Sequence, residues 1–200
     1  MKLSALISVS PLLSAVIASP ATPLADAEPW LNKFILQSRY GDTPYTGHKI
    51  QAANSRFWLG GSPKTYCPKG PCPDEESTVI KGNHFKDFNH LDVGVKGGQA
   101  IYVDPDAALR YVTTKEHEIP SHSYTGGYKL TYGINFQMPR WGASGRWLAC
   151  DVPKHDQRQI FADVKNATIP GCANKLDCCV GLFLTAYNYT GPSPPAYEYR

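Results

Sequence analysis

Apolar positions fall in short runs separated by turn-forming residues along most of this chain. Trp30 to Leu36 comes first. Ile50–Ala53 and Arg56–Leu59 follow on either side of Asn54, then Val79–Ile80, Leu91–Val95, Ala100–Val103 and Leu109–Val112. From Tyr128 to Phe136 every second residue is apolar, the period of a half-buried strand. Arg146–Cys150, Gln159–Val164 and Val180–Tyr187 complete the series, and Tyr197–Tyr199 lies beyond a stiff connector, Gly191–Pro195. Runs spaced about 8–12 residues apart with Gly or Pro between them predict a sandwich or barrel. No window carries a sustained helical stripe, so little helix is expected. The expected fold is all-β: one antiparallel β-sandwich or partly closed barrel over residues 30–200. The polar stretch Asn83–His90 reads as a loop.

The first 18 residues break this pattern. Lys2 precedes a mostly apolar stretch, Leu3 to Ile17, and Val16-Ile17-Ala18 suits a signal peptidase, so cleavage is expected after Ala18. The stretch is too short and too interrupted to span a bilayer. Residues 19–29 have no period and read as a flexible mature N-terminus. The expected product is a released extracellular domain, without a membrane anchor.

Charge narrows the partners. The chain carries 20 basic and 17 acidic residues; losing the leader with Lys2 leaves 19 against 17, a net charge of +2. That is too small to predict nucleic-acid or membrane binding. The 17 Gly, 17 Pro and 12 Tyr residues fit a turn-rich secreted β domain.

Six cysteines, Cys67, Cys72, Cys150, Cys172, Cys178 and Cys179, lie beyond the leader. An even number in an exported chain predicts disulfides. Spacing alone does not fix the connectivity. The pairing favoured is Cys67–Cys72 across a Pro- and Gly-containing loop, Cys150–Cys179, and Cys172–Cys178. Cys67-x4-Cys72 and Cys172-x5-Cys178 resemble loose zinc spacings, but an oxidising compartment favours disulfides, and neither metal nor cofactor is expected. Asn166-Ala167-Thr168 and Asn188-Tyr189-Thr190 are glycosylation sequons.

Candidate chemistry is sparse. Asp104-Pro105-Asp106 presents two carboxylates, as glycan hydrolysis needs, in a tripeptide that is also ordinary turn chemistry. Glu116-His117-Glu118 with His122 is the densest ligand cluster, and His84 and His90 share the polar stretch before Leu91; both groups read as solvated loop residues. No Gly-x-Ser-x-Gly elbow is present. Aromatic residues are the better lead. Trp141 and Trp147, with Arg140 and Arg146, flank a Gly- and Ser-containing turn. Exposed rings stack on sugar faces, so Arg140, Trp141 and Trp147 are candidate contact residues. Filling the core is the alternative role, and the default for Trp58 and Trp147.

Three stretches are more specific: Phe57–Pro68 through Cys72-Pro73, Gly97–Tyr111, and Ile119-Pro120 through Tyr124–Tyr128. In that order they resemble a family of small secreted fungal proteins, the IgE-binding or PhiA-like (phialide-type) cell-wall proteins. The likeness runs over about residues 47–200, continuing through Leu148-Ala149-Cys150, Phe161 and Cys179–Leu182. Against the family pattern, Cys172 and one of Cys178 and Cys179 are additional, and Asn83–His90 is an insertion. The resemblance implies a secreted, disulfide-bonded β protein at the fungal surface or in the medium, with no enzymatic activity to transfer. In plant-associated fungi it implies a virulence effector of the host apoplast. The expected function is therefore non-enzymatic binding, to cell-wall polysaccharide or to a host extracellular protein. A wall hydrolase using Asp104 and Asp106 is the alternative.

Overall fold

The computed structural model describes residues 32–83, 86–115, 118–131, 135–137, 146–165 and 167–200. The expected leader, the residue 19–29 segment and Trp30 lie outside them.

The described residues form an antiparallel β fold with one helical turn. The strands are β1 (Lys33–Arg39), β2 (Ile50–Ala53), β3 (Arg56–Leu59), β4 (Thr65–Tyr66), β5 (Ile80–Asn83), β6 (Lys86–Leu91) and β7 (Gln99–Val103). They continue with β8 (Leu109–Tyr111), β9 (Lys129–Thr131), β10 (Asn135–Gln137), β11 (Trp147–Cys150) and β12 (Arg158–Ala162). The turn α1 (Lys175–Cys178) leads into the long β13 (Cys179–Asn188), and β14 (Glu198–Tyr199) ends the chain.

Strand pairing closes on itself. β1 pairs with β5, β5 with β6, β6 with β9, β9 with β10, β10 with β13, and β13 returns to β1. A second run leaves the other half of β13 through β11, β12, β3, β8 and β7 and rejoins at β6. Ring closure removes unpaired strand edges, which would otherwise recruit other chains. This is the partly closed barrel that the apolar spacing predicts.

Local chemistry places the turns. Asn54 and Ser55 both have positive φ, 55° and 60°, as the tight β2–β3 hairpin requires. Gly82 on β5 gives way to the Phe88 ring, which occupies the space a side chain would need. That ring is why a polar stretch makes a strand. Lys86–Leu91 is β6, not a loop, because Phe88 and Leu91 are fully buried while β5 and β7 supply its hydrogen bonds. The alternating segment Tyr128–Phe136 likewise resolves into two paired strands, β9 and β10.

Two hydrophobic clusters hold the fold. The larger fills the ring interior with Phe34, Phe88, Tyr128, Phe136 and Trp147. Phe136 stacks between Tyr128 and Trp147 at centroid distances of 5.3 and 5.8 Å, and Phe34 meets Phe88 edge-on at 4.9 Å. The smaller lies on the opposite face of β3, β12 and β11, around Trp58, Leu148, Cys150, Phe161 and Ile169. Those strands are therefore apolar on both faces, as parallel-sheet strands usually are, although their pairing is antiparallel. Residues 167–178 cover the second face through Ala167, Ile169, Cys172 and Cys178. The outer face of β1, β13 and β10 has no such cover among the described residues.

Candidate functional site

The cysteines form Cys67–Cys72, Cys150–Cys179 and Cys172–Cys178. Cys150 and Cys179 sit directly opposite each other on β11 and β13. The Cys178 and Cys179 sulfurs are 3.6 Å apart, and with Cys172 they cluster within 4.8 Å. Each is committed to a disulfide, so none is the thiolate that a metal ion needs. Cys172–Cys178 braces the covering segment within itself, and Cys150–Cys179 staples β11 to β13 beneath it.

The carboxylates divide. Asp106 is exposed at the turn. Asp104 is buried: its Oδ1 accepts the Ala108 amide at 2.9 Å, its backbone carbonyl accepts the Ala107 amide at 2.9 Å, and its other oxygen pairs with Arg110. Those bonds hold Ala107 at a φ of 73°, a conformation alanine rarely adopts. Asp104 thus anchors the turn between β7 and β8. Beside it lies an open cleft of about 390 Å³, lined also by Tyr124, Asp163 and Lys165. Asp163 pairs with Arg146 at 3.4 Å.

The aromatic candidates separate as sharply. Arg140 and Trp141 lie outside the described residues, as do His84, Glu116, His117 and Asn166. Trp147 takes its default role in the core and is not a contact residue: it is 2% exposed, and its Nε1–H donates to the Phe136 carbonyl at 2.9 Å. The ring interior takes it because its β11 position alternates inward, and the backbone carbonyl satisfies its polar atom. Trp58 is buried against His155 at 4.5 Å. His90 belongs to β6, half-buried, and its Nδ1–H donates to the Asn89 Oδ1 at 2.7 Å. Burial and nearby Lys81 hold its imidazole below the usual value. His122 is exposed in a turn. Asn188 is exposed at the end of β13, accessible to a glycan.

Other exposed rings lie outside the stretch that Trp141 and Trp147 flank. On β13, Phe183 and Tyr187 are 38% and 48% exposed. Registry explains both. Phe183, Thr185 and Tyr187 pair with Arg39, Gln37 and Ile35 of β1, all on the outer face, while Leu184 and Ala186 pair with Ser38 and Leu36 inside. Asn135 of β10 pairs with Thr185 from the other side, and Gln137 of β10 pairs with Lys129 of β9. The result is a flat wall with two rings four residues apart along one strand, about 13–14 Å at a strand's rise. Between them Thr185 is 3% exposed, and its hydroxyl has no hydrogen-bond partner among the described residues. The two rings can stack on a sugar face, and the half-buried Asn135 and Gln137 amides beside them can hydrogen-bond its hydroxyl groups, whereas the Thr185 hydroxyl is buried. In Val180–Tyr187 both sets of alternate residues contain apolar side chains, so only the register with β1 marks Phe183 and Tyr187 as outward.

Among the described residues, then, a disulfide-braced, ring-closed β domain carries two exposed rings, Phe183 and Tyr187, on the outer face of β13. The model of the PhiA-like secreted protein family matches residues 35–200, so the chain belongs to that family. It is also 36% identical over 198 residues to a protein of Arthroderma benhamiae described as an uncharacterized secreted protein, covering 96% of this chain and 95% of that one. No solved structure matches.

Proposed function

We propose that this secreted protein is a non-enzymatic binder of cell-wall polysaccharide, and that it docks through the outer wall of β10, β13 and β1. One observation carries the reading: Phe183 and Tyr187, both exposed, project from one strand face on either side of the buried Thr185. A linear sugar polymer is the ligand that suits such a wall, because it is flat, extended and faced with C–H groups. The engagement of Asp104 with Ala108 and Arg110 supports a role in the turn, in preference to acid/base chemistry. The protein works in the extracellular space or the wall, carrying a glycan at Asn188. That glycan borders the Tyr187 end of the wall and leaves the Phe183 end open. In a plant-associated fungus the same binding serves as a virulence function in the host apoplast.

Co-sedimentation with insoluble chitin, β-glucan and wall preparations tests this. The wild-type protein pellets with at least one polymer. The F183A/Y187A variant stays in solution with an unchanged thermal midpoint. Retention that survives both substitutions overturns the reading. So does capture of a host extracellular protein without retention on any glycan.

A further inference from the structure

The charge of the outer wall is one-sided. β1, β5, β9, β10 and β13 contain no aspartate or glutamate at any position, inward or outward. They carry Lys33, Arg39, Lys81 and Lys129. Lys33 and Lys81 both face the buried Asp92, at 3.8 and 3.9 Å, and Lys33 also donates to Ser193. That carboxylate accounts for these two cations. Arg39 and Lys129 are exposed and form no ion pair with any described residue.

Registry places those two cations around one ring. Phe183 pairs directly with Arg39 on β1. On the other side, the pairing of Asn135 with Thr185, continued by two residues, sets Gln137 beside Phe183. Gln137 pairs in turn with Lys129. One row across four strands therefore reads Lys129, Gln137, Phe183, Arg39. At a strand separation of about 4.8 Å the two cations stand about 14 Å apart, with the ring and an amide between them. A short anion would engage one cation and leave the ring unused. An extended polymer with a carboxylate on each sugar can satisfy both cations and stack on Phe183 between them.

We propose that the wall's ligand is a linear polyuronate, a chain of uronic acid residues such as de-esterified polygalacturonate. The proposal rests on the glycan-binding reading above and names the substrate class of the same wall. Arg39 and Lys129 are the acid-selecting residues; Phe183 and Tyr187 give the affinity shared by charged and neutral chains. Arg39 is suited to the carboxylate, since its planar guanidinium presents two parallel N–H donors.

Affinity electrophoresis through gels containing polygalacturonate, its fully methyl-esterified form, or neutral β-glucan tests this with the intact mature protein. At about 50 mM salt, de-esterified polymer is expected to bind about tenfold more tightly than the esterified one, and the preference is expected to shrink at about 500 mM as screening shortens. In R39E/K129E the preference disappears while neutral-chain binding persists. In F183A/Y187A binding to every chain weakens by about fivefold or more. Thermal midpoints within a few degrees of the wild type show that both variants fold.

Equal binding of esterified and free polymer overturns the proposal and leaves the neutral-glycan reading standing. So does undiminished acid preference in R39E/K129E. Displacement by dextran sulfate at the same charge concentration as polygalacturonate also overturns it, since that is ion exchange without sugar recognition. Absence of binding to all three polymers sinks both readings together.

Discussion

Phe136 shows what a single side chain decides here. It is fully buried, touches Tyr128 and Trp147 face to face, and its carbonyl holds the Trp147 indole. Phe136→Ala opens a cavity in the ring interior and is expected to cost about 3–5 kcal/mol, read from the urea midpoint. A loss below about 1 kcal/mol would mean that the ring collapses around the vacancy. Asp104 makes a different kind of contribution. Asp104→Ala leaves the Ala108 amide without its acceptor and Arg110 without its counter-ion, and releases the strained Ala107. Arg110 is only a quarter exposed, so about 1–3 kcal/mol is expected in the same measurement. Asp104→Asn, which keeps an acceptor, should recover part of it. If the two substitutions are equal, the charge matters and the amide bond does not.

At the scale of elements, the long strand β13 organises the molecule. Its first half is fastened to β11 by Cys150–Cys179 and covered by the disulfide-bonded segment; its second half closes the ring against β1. Replacing both cysteines with alanine removes a loop constraint over a separation of 29 residues, with an expected loss of about 3–4 kcal/mol. Denaturant titration of C150A/C179A measures it, and a variant as stable as the wild type would show that sheet pairing alone sets the register. A second tie is pH-dependent. Burial raises the Asp74 carboxyl, but the Glu76 amide at 2.7 Å and the Tyr189 hydroxyl at 2.9 Å outweigh that and leave it below its ordinary value. The unfolded chain therefore binds the proton more readily. The stability from this tie is present above the ordinary aspartate range near pH 4 and is lost as pH falls through the lower native value. Asp74→Asn should flatten the acid limb of the stability curve between about pH 4 and 3; superimposable limbs would show that other carboxylates dominate it.

Strand legibility followed burial. β2, β3, β7, β8, β11, β12 and β13 are the runs in which apolar residues cluster, and the sequence marks them. β6 was hidden because Lys86, Asp87, Asn89 and His90 surround the one ring, Phe88, that secures it. The β9–β10 division was hidden because the alternation runs on unbroken from Tyr128 to Phe136.

For the whole molecule, pairing between segments far apart in sequence holds the fold together. β1 pairs with residues 183–188, and the last residues form a latch. The Tyr199 amide donates to the Gln99 side chain at 2.7 Å, Gln99 returns a bond to the Tyr199 carbonyl at 2.8 Å, and the Tyr199 hydroxyl donates to the Ser77 carbonyl at 2.9 Å. Arg200 adds backbone bonds to Asn54 and Lys64. A chain ending at Ala196 should lose cooperative unfolding, as judged by a broadened or absent thermal transition. A sharp transition near the wild-type midpoint would show the latch to be dispensable.

The sequence by itself determined the class: alternation with Gly and Pro punctuation specifies antiparallel strands, and an even set of cysteines in a secreted chain specifies disulfide bracing. These are local or compositional properties, readable without knowing any neighbour. The tertiary structure alone decided which rings face outward. Trp147 and Phe183 are both aromatic residues on regular strands, and nothing in either residue separates them. Trp147 turns toward the closed ring because its register on β11 sends it there, while Phe183 turns outward beside Arg39. That choice depends on pairing between segments nearly 150 residues apart, and such distant partners leave no mark on either stretch alone.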